Sequence, residues 1–589
     1  MFFRCLNSSA TSNKPQIRAY RTMLVFAAFI LSCVCSQAQQ PKEEVRTGMI
    51  SGRVVNESGQ PLAGAAVFVR AAGLPSSGRS TTSNLEGDFQ ITGLENALYY
   101  ITANSPAYVS APLDIETPLP TYRVGDSVRV ELICGGVITG TVTNSTGEPV
   151  LGVRVRVFIV RDTSGQLTKG RLLFFSERST DDRGIYRIYG LPPGSYLVEA
   201  GGGSDQGTLN ATDLDAPTFA PSSTRDTAAE IQVQAGEETT VDIRYRGESG
   251  HTISGKVKIQ GTSGASISLT QIGDRLIPMS SSYQPGPNQG FFLSGIADGE
   301  YELSAQEVLS QTTYPDIAMA DPLRVTVKGA DISGLELITK PLGSISGKIT
   351  LELSKLPDCQ NKRQPLFSET LVTLMQNRKE QRPDQLALIR LFVGYSSPDK
   401  DGAFTLRNIR QGQYWFSPRF FARYWYLKSM TLSAVAPASQ AKATQSSKDL
   451  SRSWTSVKAG DRLTGLTITL SEGAGSVRGQ IAKSEDAVWE AGMRVYLVPS
   501  ERDKSEDPLR YFTSEVAGDG TFSLSNLPPG RYWALAQQSQ AEIPTSTEKL
   551  RLPDALEARS NVRRIAESIK NEVELKPCKN VTDYKLRLK

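Results

Sequence analysis

Apolar and polar residues alternate in short runs along most of the chain, and the runs are broken by glycine, proline, asparagine and aspartate. Period-two alternation bounded by turn residues predicts half-buried β-strands. The runs also repeat. An opening of the form apolar-polar-Gly-polar-apolar occurs five times: Ile50-Ser-Gly52-Arg-Val54, Ile138-Thr-Gly140-Thr-Val142, Ile253-Ser-Gly255-Lys-Val257, Ile345-Ser-Gly347-Lys-Ile349 and Val477-Arg-Gly479-Gln-Ile481. In the first two copies a turn and a second strand follow, with Gly59-Gln-Pro61 and Gly147-Glu-Pro149 at the turn. Glycine there supplies a positive φ, and proline ends the strand ladder.

A second block recurs downstream. Gly87-Asp-Phe89, Gly184-Ile-Tyr186, Gly402-Ala-Phe404 and Gly520-Thr-Phe522 lead, seven residues after the glycine, to Leu94, Leu191, Ile409 and Leu527, and after twelve to Tyr99, Tyr196, Tyr414 and Tyr532. The third copy, Gly290-Phe-Phe292 with Ile296 and Tyr301, is shifted by one residue. These positions describe two strands joined by a turn, with the aromatics as core markers. Each copy closes alike, as in Val124-Gly-Asp-Ser-Val128 and Ala459-Gly-Asp-Arg-Leu463. The opening glycines lie 88, 115, 92 and 132 residues apart. The variation falls in the middles of the copies, where loops absorb insertions cheaply, and 206–230, 355–400 and 430–456 read as insertions. One helix is predicted, over 553–570, with Leu556, Val562, Ile565, Ala566 and Ile569 on one face. It is expected to pack across the last sandwich.

The predicted organisation is a signal peptide at 1–38 and β-sandwiches at 45–134, 135–247, 248–340, 341–471 (with insertions) and 472–589 (with the helix). A length of 589 residues fits four to six domains of ordinary size. The start of the chain reads as an address. Arg4, Lys14, Arg18 and Arg21 precede the short apolar run 23–34 and the small residues Ser36-Gln-Ala38, the pattern of a signal peptide cleaved after Ala38. The rival reading is a lipobox ending in Cys33, which would acylate that residue. Later in the chain no apolar run is long enough to span a membrane, so the mature protein is expected outside the cytoplasm: periplasmic, extracellular or associated with the cell surface.

Composition narrows the chemistry. Removing the leader takes four positive charges from a formal net charge of +4, leaving a neutral chain without basic patches, which argues against nucleic acid. Histidine occurs once, at His251. One histidine cannot build a two-histidine zinc site or an H-E-x-x-H helix. His251 takes the place held by Gly48, Gly136, Gly343 and Gly475 in the other copies, just before a first strand, and reads as a boundary residue. Cys134, Cys359 and Cys578 remain after the leader. They allow at most one intramolecular bridge, and the sequence leaves open whether Cys359 and Cys578 form it.

At these motifs the chain resembles the carboxypeptidase regulatory-like domain. The combination I-x-G-x-V, G-x-P-[LV]-x-G-x-x-V, G-x-[FY], [LI]-x-x-G-x-Y carries the resemblance, most closely in the first, second and fifth copies. It implies an all-β fold of tandem seven-stranded transthyretin-like (Ig-like, prealbumin-like) sandwiches within the wider group of carbohydrate-binding-like folds, here with one short C-terminal helix. The chain is also similar to large exported bacterial proteins that carry such domains in tandem. The same sandwich serves as accessory, spacer, adhesion and sugar-binding module, so the resemblance implies no one function. A zinc carboxypeptidase needs more histidines than this chain holds, so peptidase activity does not carry over.

No phosphate loop, nucleophile elbow or dinucleotide fingerprint occurs. Ser397-Pro-Asp-Lys400 matches S-x-x-K within a polar turn, and Asp399-Lys-Asp401-Gly402 resembles the start of a calcium loop; the sister turns Asp181-Asp-Arg-Gly184 and Asp519-Gly520 favour hairpin chemistry for both. No enzyme, cofactor or metal site is expected. One patch points to a ligand: residues 414–426 hold eight aromatics in thirteen positions. Alternation turns Tyr414 and Phe416 to the core and Trp415 to the opposite face; Trp425 opposes Tyr424 and Tyr426, and Trp533 takes the place of Trp415 in the fifth copy. Exposed flat rings stack on sugar faces, so Trp415, Trp425 and Trp533 form a candidate platform and a polysaccharide or glycan the leading partner; the other reading is that the tryptophans pack under a loop or against a neighbouring domain. The alternative is a structural or adhesion spacer that docks another envelope protein along its strand edges. Buried tryptophans would favour that alternative.

Overall fold

The computed structural model describes residues 48–587 apart from 73–77, 111–119, 166, 168–174, 204–210, 262–263, 273–276, 285–289, 309–315, 378–394, 434–446, 483–491 and 539–543. All of these lie in the unit 47–589. The expected signal peptide and Cys33 fall outside the described residues.

The described strands form nine sheets, arranged as five successive copies of one pattern at 48–134, 136–244, 251–341, 343–472 and 475–586. In every copy the first strand pairs antiparallel with the strand of the G-x-[FY] block and parallel with the closing strand. A second sheet is built around the tyrosine strand, as where Ala66–Ala71 pairs with Leu98–Asn104. In the first copy one cluster joins Ile50, Val54, Phe89 and Leu132 of one sheet to Val67, Val69 and Tyr99 of the other, the core of a sandwich. The all-β class expected from the alternation is therefore present.

The opening glycine has a steric cause. A Cβ on Gly52 would stand 2.7 Å from Phe89 Cζ and run into the Val128 carbonyl of the closing strand; on Gly347 it would stand 2.7 Å from Phe404 Cζ, and on Gly479 2.8 Å from Phe522 Cζ. The aromatic of the second block packs its ring tip against the glycine of the first, so the two motifs are halves of one contact. In the third copy that ring belongs to Phe291, which is buried, while Phe292 faces solvent. The tyrosine twelve residues on is fixed by its hydroxyl, which donates to the carbonyl four residues earlier: Tyr99 to Glu95 at 2.9 Å, Tyr196 to Pro192 at 2.6 Å, Tyr301 to Ala297 at 2.7 Å and Tyr532 to Pro528 at 2.8 Å. A buried phenol needs such a partner.

The copies differ at their margins. The fifth has the expected seven strands, three in one sheet and four in the other, whereas the first has four in each because short strands such as Tyr108–Ser110 join the edges. In the third, the ten-residue strand Ile332–Pro341 pairs with His251–Lys258 along one part and with Ile317–Ala320 along its end, which merges the two sheets into one of eight strands. The predicted helix is Leu556–Ile569, preceded by a single tight turn at Pro553–Ala555. It lies on the outer face of the last sheet, where Val562 and Ala566 bury against Tyr496, Val498, Tyr511 and Leu535. Leu556, placed on the buried face by periodicity, is instead exposed, because it stands at the first turn beyond the edge of that cluster.

Contacts also run between copies. Phe158, Val160, Leu197 and Phe219 of the second share a cluster with the core of the third. The first returns onto the fourth: Ala72, Leu98 and Leu371 are buried with Tyr100, Tyr395 and Phe421 around them, Tyr100 meets Tyr395 edge-on at 6.3 Å, and the Arg123 guanidinium lies 5.0 Å above the Phe421 ring. Cys359 and Cys578 are joined as a disulfide with their Cα atoms 5.3 Å apart, which ties the fourth copy to the fifth. Cys134 is a free thiol.

Candidate functional site

The aromatic block takes up two strands of the fourth copy, Gly412–Phe420 and Trp425–Ser433. Gly412–Phe420 runs inside its sheet, paired with Thr370–Gln376 on one side and Thr455–Val457 on the other. Tyr414 and Phe416 face the core as alternation requires. Trp415 does point to the opposite face, but that face is covered: Trp415 is 1% exposed and Trp425 0%. Both belong to one cluster with Ile345, Phe404, Leu450 and Ile468, to which the fifth copy contributes Leu509. Neither indole N–H has a hydrogen-bond partner among the described residues. A ring with no open face cannot stack on a sugar, so the expected platform at Trp415 and Trp425 is corrected to a core. The returning segment around Leu450 and the neighbouring copy close a face that alternation alone leaves open.

Trp533 differs in degree. It is partly buried beside the helix Leu556–Ile569, with the Arg563 guanidinium 5.1 Å above its ring. That cation occupies the face a sugar would use. The three tryptophans therefore do not converge on one surface.

The remaining candidates resolve into structure. Asp399 Oδ1 accepts the backbone N–H groups of Asp401 and Ala403, both at 2.9 Å, and Asp181 does the same for Arg183 and Ile185 at 2.9 and 2.8 Å. These carboxylates close hairpin turns, which accounts for the calcium-like spelling. Ser397 Oγ donates to the Thr370 carbonyl at 3.2 Å, while Lys400 points into solvent. His251 begins the first strand of the third copy, in register with Ile296 as Gly48 is with Leu94. Its Nε2 stands 3.2 Å from Asp298 and its Nδ1 3.9 Å from Asp331, both exposed. Among the described residues no group of three or more His, Cys, Asp or Glu side chains could hold a metal ion, and no helix is long and apolar enough to cross a membrane.

Alternation carries no warning of the buried charges in the second copy. Arg154 and Arg156 alternate with valines along Arg154–Arg161, which places them on the outer face. That face is covered, and the arginines pair with Asp213 at 2.5 Å and Glu199 at 2.8 Å. Burial pushes the Glu199 carboxyl up from its usual range, and Arg156 pulls it back in part. Arg154 holds Asp213 and its turn to the sheet, and Arg156–Glu199 joins two neighbouring strands of that sheet. A cavity of about 340 Å³ lies between edge strands of the first copy, lined by Arg79, Ser80, Thr81, Gln90, Ile91 and Thr92. It is shallow and polar, and Arg79 reaches across to donate to the Thr92 carbonyl at 3.3 Å.

Comparison with known families agrees with the fold. The carboxypeptidase regulatory-like domain family matches residues 49–123 and 137–246. No curated protein matches the chain. Solved structures with some likeness include the minor pilin GBS52 of Streptococcus agalactiae (13% identity, 34% of this chain and 96% of that one, TM-score 0.19). Others are the shaft pilin SpaA of Lactobacillus rhamnosus GG (11%, 34% and 98%, TM-score 0.16) and the Bacillus anthracis TIE protein (9%, 97% and 79%, TM-score 0.13). Over its first two copies, then, this chain is similar to the carboxypeptidase regulatory-like domain.

Proposed function

We propose that the protein is an exported, non-catalytic scaffold of five β-sandwich domains, at 45–134, 135–247, 248–340, 341–471 and 472–589, that spaces or presents partners at the cell envelope or outside the cell. The observation that carries this reading is the burial of Trp415 and Trp425: the residues with the strongest ligand-binding character instead hold the fourth domain together and to the fifth. The Cys359–Cys578 bridge supports an oxidising compartment. Partner docking would use strand edges such as Arg79–Thr82, which is largely exposed.

Affinity electrophoresis through gels containing soluble polysaccharides tests the reading. The scaffold reading expects no retardation by any polymer. Retardation that a folded Trp533→Ala variant loses would overturn it in favour of glycan binding at the fifth domain.

A further inference from the structure

The residue before the aliphatic of the second block has a role that repeats along the chain. It is Gly93, Gly190, Gly295, Asn408 or Asn526, and in all five copies its φ is positive, between 57° and 73°. It lies in the irregular stretch where the first strand begins, as where Gly475 pairs with Leu527 but Val477 with Leu524. Only glycine and asparagine adopt this conformation readily. The bulge turns the backbone out of the sheet, toward the end where the preceding copy joins.

What it meets there is the same in kind at each junction. The linker amide donates to a carbonyl in the segment that follows the tyrosine strand of the preceding copy, a turn or, at Ile317, the start of the next strand: Gly135 to Ala107 at 2.7 Å, Gly250 to Leu214 at 2.9 Å, Leu342 to Ile317 at 3.1 Å, and Gly473 to Tyr424 at 2.8 Å. The bulge residue packs beside that bond. A Cβ on Gly135 would stand 2.9 Å from Gly190 Cα, and one on Gly250 2.6 Å from Gly295 Cα; one on Gly295 would stand 2.5 Å from the Asp213 carbonyl. Where the residue is asparagine the side chain bonds across. Asn408 Oδ1 accepts the Ile317 N–H at 2.8 Å, and Asn526 Nδ2 donates to the carbonyls of Ala422 and Trp425 at 2.6 and 2.7 Å. A Cβ on Gly93 in the first copy would stand 2.9 Å from Arg79 Nη1 of its own copy.

We propose that this left-handed bulge residue is the joint of the array, fixing how each sandwich seats on the one before it, and that Asn408 and Asn526 are latches that glycine joints lack. The bulge is shaped by the sandwich's own strand ladder, so the direction of the next domain is set by the same residues that set the fold. Successive domains are then held by backbone hydrogen bonds rather than swinging on linkers, which is the opposite of the usual expectation for tandem modules. The inference rests on the scaffold reading for its purpose and on the junction geometry for its substance.

Hydrogen exchange of the full-length protein, followed by mass spectrometry with the thiols reduced, tests it at the fourth junction. The amides of Gly473 and Ala474, which donate to the Tyr424 carbonyl at 2.8 and 2.9 Å, report the joint, and the strand Gly475–Ile481 reports the fold. Asn526→Asp sets a carboxylate against two carbonyls and is expected to speed exchange at Gly473 and Ala474 at least tenfold and to enlarge the radius of gyration in X-ray scattering. Asn526→Gly keeps the backbone conformation, drops both donors, and is expected to act in the same direction. Gly93→Asn, the same position with no preceding sandwich among the described residues, is expected to change neither. Unchanged exchange at Gly473 and Ala474 in Asn526→Gly would overturn the proposal, as would an equal response to Gly93→Asn. If Asn526→Asp also unprotects Gly475–Ile481, Asn526→Gly decides. Sugar binding with intact joints would refute the scaffold reading alone.

Discussion

Gly479→Ala is the sharpest perturbation of the repeat. The new methyl would stand 2.8 Å from Phe522 Cζ and 3.1 Å from Cε1, and would press on the Tyr584 carbonyl of the closing strand. Carbon atoms at optimal separation stand about 3.5–4.0 Å apart, so the ring or the strand has to retreat by roughly 0.7 Å or more. The ring is held in the core by its neighbours, and Tyr584 is held in register directly opposite Gly479. Overpacking of a core costs about 1–3 kcal/mol, and the upper end applies because one of the two obstacles is backbone. A loss of about 3 kcal/mol raises opening-limited hydrogen exchange in Gly475–Ile481 roughly a hundredfold, at about tenfold per 1.4 kcal/mol. Gly518→Ala in the same copy is the control, since a methyl there meets nothing within 4 Å and no positive φ is required; it is expected to be neutral or to stabilise by about 0.4–1 kcal/mol. Exchange in Gly479→Ala within twofold of wild type would refute the claim that the two motifs are halves of one steric contact.

Three further outcomes follow from the contacts described above. Cys359→Ser releases a loop closed over 219 residues, worth about 5 kcal/mol on the chain-entropy account; tryptophan fluorescence in a denaturant titration should show an earlier transition, and an unchanged midpoint would count against the bridge. Trp425→Ala removes a ring that is 0% exposed and is expected to cost about 3–5 kcal/mol in thermal unfolding while leaving polysaccharide gel mobility unaltered; a lost gel shift in a folded variant would contradict its place in the core. Burial pushes the Tyr100 hydroxyl up to about 12, above the ordinary value of about 10. The folded state thus favours the neutral phenol, and stability present below pH 10 is lost as pH rises towards 12. Tyr100→Phe should flatten that part of a melting-temperature profile, and an identical alkaline fall in the variant would sink the assignment.

Much of the fold was legible because its constraints are local and repeat. Gly52, Gly255, Gly347 and Gly479 each leave room for an aromatic packed against them, and that contact writes the same two short motifs in each copy, however long the segment between them. Tyr99, Tyr196 and Tyr532 bond to a carbonyl four residues back, so their spacing from the turn is fixed as well. The margins were not legible. That Ile332–Pro341 runs on to merge two sheets depends on where Ile317–Ala320 comes to lie, a contact between residues whose own patterns are ordinary for strands. The helix was readable from its period, yet Leu556 lies beyond the edge of the surface the helix packs on, and a period carries no information about where that surface stops.

The aromatic block shows where alternation runs out. It assigns a residue to one of two faces of a strand, and for Trp415 it assigned the right one. Whether a face is wet depends on what else the chain lays upon it, and here the cover comes from Leu450, which lies 35 residues on, and from Leu509 in the next copy. The same holds for Arg154 and Arg156, which alternate with valines and yet are buried, Arg154 against Asp213. In a chain built of sandwiches joined face to loop, the outer face of one copy is the natural place for the next to rest. The faces at Trp415 and at Arg154 are accordingly covered. The inverse holds at the joints: Asn408 and Asn526 look like turn residues in their own copies, and their side chains bond into the preceding copy.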